Sequence, residues 1–244
     1  MEGDADIAAI GAVLADPKRT RMLLALGDGR ALPASVLADE AGVAASTASE
    51  HLRRLVGSGL VSAERHGRHR YFRVAGPQVA EMIESLARVA PAAPVRSLRE
   101  GTRAQAIRQA RTCYDHLAGK LGTDVFAALL ERGVIEGGDG TFDPDRARED
   151  RLSSPGWDVE YRLGDPQPLL DLGLELPSGR RPLVRYCIDW SEQRHHLAGG
   201  LGAALTRRLL DLKWIERAAA TRAVRVTKAG NEGLRSALGV TGDW

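Results

Sequence analysis

Residues 37–61 read LADEAGVAASTASEHLRRLVGSGLV, and their punctuation decides the fold of the first third of the chain. Pro33 opens a helix, ASVLADEAG, that Gly42 ends, and after the turn Gly42-Val43-Ala44 a second helix starts, AASTASEHLRRLVGSGL. Two helices joined by so short a Gly-containing turn form a helix-turn-helix. At about 100° per residue, Ala48, Leu52, Leu55 and Val56 make one buried stripe on the second helix. The opposite face carries Ser46, Thr47, Glu50, His51, Arg53 and Arg54. Hydroxyls, an imidazole and guanidinium groups on one open face suit hydrogen bonds to phosphates and base edges.

The flanks extend the pattern. Upstream, Ile7, Ile10, Val13 and Leu14 recur at helical spacing, and Asp16-Pro17 supplies an N-cap and a first helical residue for KRTRMLLALGDG. Downstream, LVSAER and RYFRVA read as strands around the tip HGRH, which makes a hairpin wing carrying Arg68, His69 and Arg70. PQVAEMIESLARV closes the unit as a helix. Residues 51–73 hold six Arg and three His against the single acid Glu64, in a chain whose net charge is only +2. A basic stretch concentrated on one helix and one hairpin is the electrostatic footprint of nucleic-acid binding.

ADPKRTRMLLAL, LADEAGVAASTASEHLRRLVGSGLV and ERHGRHRYFRV together resemble the ArsR family of winged-helix repressors, over roughly residues 5–90. The resemblance implies a homodimer joined through its first and last helices, presenting here Ile7, Ile10, Leu14, Ile83 and Leu86. It also implies two recognition helices in successive major grooves of a near-palindromic operator in double-stranded DNA. The family's metal sites do not carry over, because ASVLADEAG has neither Cys nor His and PQVAEMIESLARV has no His.

The 244 residues suffice for two modest domains, and no apolar run approaches a membrane span. The acidic start MEGDADIAAI is unlike a signal or transit peptide, and two Cys make no disulfide framework, so a cytoplasmic protein is expected. PAAPVRS reads as part of a linker, which sets the expected divisions at 1–90, 91–101 and 102–244.

The third segment says nearly the same thing twice. HLAGKLGTDVFAALLERGVIE (116–136) and HLAGGLGAALTRRLLDLKWIE (196–216) are identical at ten of 21 positions, and the only two Cys, Cys113 and Cys187, lie just upstream of the copies. The periodicity predicts a long helix over about 102–121 with Ile107, Ala110, Tyr114, Leu117 and Leu121 as its stripe, and Arg96, Arg99, Arg103, Arg108 and Arg111 on a solvated face. The segment 136–156 reads as a charged loop, and 157–163, 170–176 and 182–189 as strands. SEQRHHLAGGLG reads as a helix that begins a second winged-helix-like unit, continued by AALTRRLLDLKW, the strands WIERA and AVRVT, and a helix from about Lys228. The expected class is α+β, mainly helical: a winged helix-turn-helix, then an α+β domain with an internal repeat and a winged-helix-like end.

Three readings of the repeat stand open. Its glycines and leucines could serve packing alone, leaving a constitutive DNA binder with a structural tail. Cys113 and His116, at i and i+3 of one helix, could join Cys187 and His196 in a zinc-type Cys2His2 set. The favoured expectation is a pocket of at least about 300 Å³ for a small organic effector. Cys113, Tyr114, His116, Arg185, Cys187, Asp189, Trp190, Arg194 and His196 would line it, with the two HLAG segments facing one another across a local two-fold. Gly200-Leu201-Gly202 follows HHLA instead of a strand, and no nucleophile elbow occurs, so neither a cofactor nor a catalytic role is expected. The sequence thus points to a DNA-binding transcriptional regulator, expected to repress and to respond to a small ligand.

Overall fold

The computed structural model describes residues 4–66, 69–94, 97–142, 160–219 and 221–244. The chain forms two compact units: Met1–Ile83 with Ala219–Arg222, and Glu84–Ala218 with Ala223–Trp244.

The first unit is the winged helix-turn-helix. Helix α1 (Ile7–Leu14) has Asp6 as N-cap, and α2 (Pro17–Ala25) has Asp16, whose Oδ1 accepts from Lys18 N at 2.8 Å and Arg19 N at 3.1 Å. Arg19 donates to Val13 O at 2.6 Å and Ala12 O at 3.1 Å, satisfying carbonyls that the end of α1 leaves open. Helix α3 (Ala34–Ala41) ends at Gly42, whose φ of 63° is the left-handed conformation a glycine adopts without strain. Helix α4 (Ala45–Gly57) follows, and Ala48, Leu52 and Leu55 are buried as the spacing predicts. Met22, Leu23, Leu26, Leu37 and Phe72 of the same unit are buried as well. The wing is a three-stranded antiparallel sheet ordered β1-β3-β2, of β1 (Leu32–Pro33), β2 (Val61–His66) and β3 (His69–Val74). Its register runs from Val61↔Val74 to His66↔His69. Helix α5 (Pro77–Val89) closes the set, and the boundary between the two units falls inside it. Ile83, expected at a dimer contact, is buried within its own chain, whereas Ile7, Leu86 and Val89 are exposed.

The second unit departs from the sequence expectation at its first element. Helix α6 (Leu98–Gln109) starts inside the predicted linker and stops at Ala110, well short of Leu121. A hairpin of β4 (Arg111–Cys113) and β5 (His116–Ala118) replaces the rest. Almost every residue from 110 to 118 is buried, so the segment lacks the single polar face that separates an amphipathic helix from a strand. Tyr114 makes the turn with φ of 58°. Arg111, expected in solvent, is among the largest fully buried side chains.

From β5 onward the repeat is a repeat of structure. Strand β5 leads through Gly119 (φ 73°) into α7 (Gly119–Glu131) and β6 (Ile135–Glu136). After α8 (Gln167–Asp171), β8 (Arg185–Ile188) pairs with β9 (His195–Ala198), which leads through Gly199 (φ 78°) into α9 (Gly199–Asp211) and β10 (Ile215–Arg217). The segment SEQRHHLAGG is therefore a turn and strand, not a helix, and the strand part, His195–Ala198, is buried on both faces. Strand β7 (Arg162–Leu163) pairs with β6, while residues 143–159 of the expected loop and strand lie outside the described residues. Residues 170–176 are not a strand: Leu169, Leu172 and Leu174 are buried from the end of α8 and an irregular run after it. Strand β11 (Val224–Val226) pairs with β10, and α10 (Lys228–Gly233) continues into a π-helical turn at Leu234–Leu238. Leu121, Phe126 and Leu129 from one half pack with Leu201, Leu205 and Leu209 from the other in one core.

Candidate metal centre and nucleic-acid interface

Each half of the tail brings one Cys opposite one His across a hairpin: Cys113↔His116 on β4 and β5, Cys187↔His196 on β8 and β9. The pairing that the sequence placed at i and i+3 of a helix is thus a cross-strand pair. The halves close on one another where their glycines sit. A Cβ on Gly122 would stand 3.6 Å from His196 Cβ, and one on Gly202 would stand 3.2 Å from His116 Cβ. The two HLAG segments face each other as expected, with imidazole centroids 5.2 Å apart.

One ligand atom from each of Cys113, His116, Cys187 and His196 lies within 4.8 Å of the other three. Cys113, His116 and His196 are buried and Cys187 is partly so. Tetrahedral sites with bond lengths of about 2.0–2.3 Å have edges of about 3.3–3.8 Å, so a contraction of about 1 Å would close these donors on one ion. The Nε2 atoms of His116 and His196 are buried without a hydrogen-bond partner. A buried unpaired ring nitrogen is costly unless it meets an ion or a donor.

The other side of each ring faces a carboxylate. His116 Nδ1 is 3.2 Å from Asp115 Oδ1, and His196 Nδ1 is 3.2 Å from Asp189 Oδ2. The Asp115 contact is a hydrogen bond of the kind that sets the ring of a metal-binding histidine, whereas His196 Nδ1 makes no hydrogen bond and meets Asp189 as a charge. Both carboxylates stand two residues after a Cys, in Cys113-Tyr-Asp115 and Cys187-Ile-Asp189. Asp115 also accepts from Arg181 Nη2 at 3.0 Å, at the surface. Asp189 is fully buried and accepts from Arg111 Nη2 at 2.9 Å and Gly119 N at 2.6 Å.

Electrostatics follow the geometry. A hydrogen bond with Cys187, together with burial, pushes the Cys113 thiol up to about 12. Burial pulls His116 down, but Cys113 and Asp115 outweigh it and raise the ring to about 9. Burial works the same way on His196, where Asp189 and Cys113 again prevail and raise it. Burial alone would raise Asp115 and Asp189; His116 with Arg181, and His196 with Arg111, hold them well below the usual carboxylate range.

The remaining expected lining residues scatter. Trp190 stacks beneath Arg111 (4.7 Å from guanidinium carbon to ring centroid) and Arg108 (5.2 Å). Arg194 turns to Asp124, 3.7 Å away. Tyr114 and Arg185 are half-buried on the hairpins. Sequence reasoning missed Asp115, Arg111 and Arg181; the repeated Cys-x-Asp was the signal that could have found the first.

On α4, Ser46, Thr47, Arg53 and Arg54 are exposed. Glu50 holds both arginines, with Arg53 Nη2 at 2.6 Å and Arg54 Nε at 3.0 Å from its Oε1. His51 turns away from the open face toward Asp16, 4.0 Å away, with its side chain 13% exposed. On the wing Arg70 is exposed, 5.2 Å over the Phe72 ring. His69 lies on β3, while Arg68 at the tip and the His69 side chain lie outside the described residues.

Residues 14–62 match the model of a helix-turn-helix domain family. Over 235 residues the chain is 40% identical to the uncharacterized HTH-type transcriptional regulator YdfF of Bacillus subtilis, covering 96% of this chain and 98% of YdfF. The chain belongs to the HTH-type transcriptional regulators. It is a transcriptional regulator with a helix-turn-helix DNA-binding domain. The HTH-type transcriptional regulator CmtR of Mycobacterium tuberculosis is 40% identical over 83 residues, 34% of this chain and 70% of CmtR. Among solved structures, the NMR structure of that protein, described as a cadmium metal-sensor, is 37% identical, covers 37% of this chain and 94% of its own, and has a TM-score of 0.31. The homodimeric winged helix-turn-helix domain of Mb0332 from Mycobacterium bovis, a possible ArsR-family regulator, is 31% identical over 35% of this chain and 86% of its own, with a TM-score of 0.30. No helix among the described residues is long and apolar enough to cross a membrane.

Proposed function

We propose that this ArsR-like regulator is a cytoplasmic homodimer that blocks a promoter and whose tail senses a thiophilic divalent metal ion of the zinc type. Cys113, His116, Cys187 and His196 are its ligands. One observation carries the reading: two thiols and two buried, unpartnered Nε2 atoms converge on ion-sized space from both halves of the tail. Two sulfurs and two imidazole nitrogens are the donor set that zinc-type ions take tetrahedrally, and both thiols would ionise on binding. An ion, not an organic molecule, is the small ligand.

In this reading Ser46, Thr47, Arg53 and Arg54 on α4, with Arg68, His69 and Arg70 on the wing, meet the operator; Glu50 orients the two helix arginines until phosphates compete for them. Ile7, Leu86 and Val89 supply exposed apolar surface for a second copy. Two copies present two recognition helices to half-sites about 34 Å apart. Metal shifts operator occupancy only to the extent that it binds one arrangement of the dimer better than the other.

The test is metal content and Co2+ absorption of purified protein, with operator affinity measured on the protein's own promoter at fixed salt. One ion per chain, a tetrahedral cobalt spectrum with thiolate charge transfer, and a change in operator affinity of about 5-fold or more on metal binding are expected. Cys113→Ser and Cys187→Ser should each weaken Co2+ binding and lower the thiolate charge-transfer absorption at saturation to about half. Protein that takes up no Co2+ at micromolar concentration would end the metal reading. Protein that binds it without any change at the operator would leave the ion as a structural staple.

A further inference from the structure

Within the proposed metal centre the two histidine-backing carboxylates are not equivalent. Asp115 is answered by a surface arginine, Arg181, with both side chains partly exposed. Asp189 has no exposure at all, and both its oxygens accept hydrogen bonds. Its Oδ1 accepts from Ser191 N (2.9 Å), Ser191 Oγ (2.8 Å) and Glu192 N (3.2 Å). Its Oδ2 accepts from Gly119 N (2.6 Å) and Arg111 Nη2 (2.9 Å) and faces His196 Nδ1 at 3.2 Å. Arg111 is equally buried, and its Nη2 also lies 3.4 Å from Glu84 Oε2 on α5, while its Nη1 donates to Ser191 Oγ at 3.1 Å. A buried guanidinium holding two carboxylates has no water to substitute for either, so moving one disturbs the other.

We propose that Asp189 and Arg111 are positioning residues that tie His196 of the metal centre to Glu84 on α5, the helix that begins in the winged helix-turn-helix unit. The inference rests on the metal reading above. The Asp189 carboxylate, 3.2 Å from His196 Nδ1, holds the ring by charge with Nε2 toward the other ligands, and it spans the two halves by accepting from the first amide of α7. When an ion draws His196 toward the other ligands, the carboxylate must follow or lose its ring contact. Arg111 conveys that displacement to Glu84. Asp115 orients His116 through its hydrogen bond but ends at the surface, so it tunes affinity without reaching α5.

The experiment uses the full chain and compares wild type with Asp189→Asn, Asp115→Asn and Glu84→Gln. Each is titrated with Co2+ and assayed for operator affinity with and without saturating metal. Asn at 189 or 115 should weaken Co2+ binding by about 10–100-fold, the usual effect of removing a partner behind a metal-bound histidine. Glu84→Gln should leave Co2+ affinity within about 2-fold but shrink the metal's effect on operator binding, as Asp189→Asn should at saturating metal, and Asp115→Asn should not. Far-UV circular dichroism and metal-free operator affinity check that the variants fold; if Asp189→Asn does not, Glu84→Gln decides. Wild-type metal response in Glu84→Gln overturns the relay while leaving the metal centre standing. A wild-type protein that binds no Co2+ overturns both.

Discussion

Gly202→Ala is expected to destabilise the tail, although the same change in an exposed helix stabilises. Gly202 lies in the first turn of α9 with no positive φ, so backbone freedom does not require glycine there. On helix propensity alone alanine would gain about 1 kcal/mol. The new Cβ, however, would stand 2.6 Å from Leu197 O and 3.0 Å from Leu197 C, which belong to the strand that feeds the helix and cannot rotate aside. It would also stand 3.2 Å from His116 Cβ in the other half. Relieving such overlaps in a packed interior costs about 1–3 kcal/mol, which exceeds the propensity gain. The tail contains all four Trp (157, 190, 214 and 244), so urea unfolding followed by tryptophan fluorescence reads it selectively. A midpoint lowered by the equivalent of up to about 2 kcal/mol and a weakened Co2+ affinity through the displaced His116 are expected. Gly57→Ala is the control: its Cβ meets nothing within 4 Å, so circular dichroism should record a gain of up to about 1 kcal/mol. A Gly202→Ala protein as stable as wild type would refute the claim that this repeated glycine exists for close approach of the halves.

Arg53→Ala with Arg54→Ala should weaken operator binding and lower the salt slope by about one unit for each phosphate that these arginines neutralise; unchanged affinity in electrophoretic shifts at physiological salt would remove them from the interface. Metal affinity should rise with pH through neutrality, because the Cys113 thiol, pushed up to about 12, and the His116 ring, at about 9, both hold protons there that an ion must displace. Each proton displaced gives up to about 10-fold per pH unit, and Co2+ titrations showing no pH dependence would contradict it. Asp16→Ala should cost about 0.5–2 kcal/mol in urea unfolding followed by circular dichroism, by removing the cap of α2, whereas Asp16→Asn, which can also cap, should cost much less. Equal losses in the two variants would mean that charge, not capping, is what Asp16 contributes.

How far the residues alone reached differs sharply between the two halves of the chain. The helix-turn-helix was legible because its signals are local: an Asp-Pro start, a glycine that must turn left-handed, and one apolar stripe against one polar face. Each of these is a consequence of backbone sterics or of partial burial, and none needs a distant partner. His51 was the exception, assigned to the open face by angle yet drawn to Asp16 of another helix. In the tail the same method read a helix through 110–121 and another through 191–202, and both failed where the hairpin 111–118 and the strand 195–198 lie. When a segment is buried on every side, hydrophobic periodicity loses its contrast, and a short strand and a helical turn look alike.

The sequence by itself determined that the tail is duplicated, that each copy carries a Cys and a His, and that the copies meet. It could not determine what lies at the meeting point. Cross-strand pairing set the Cys–His distance within each half, and the close approach allowed by Gly122 and Gly202 set the distance between halves. Those two distances together bring the four ligand atoms within 4.8 Å of one another. Arg111 shows the same limit: its neighbours in sequence assigned it to solvent, whereas Asp189, 78 residues away, supplies the buried charge that holds it inside. Which polar groups are worth burying depends on partners that only the folded chain brings within hydrogen-bond reach.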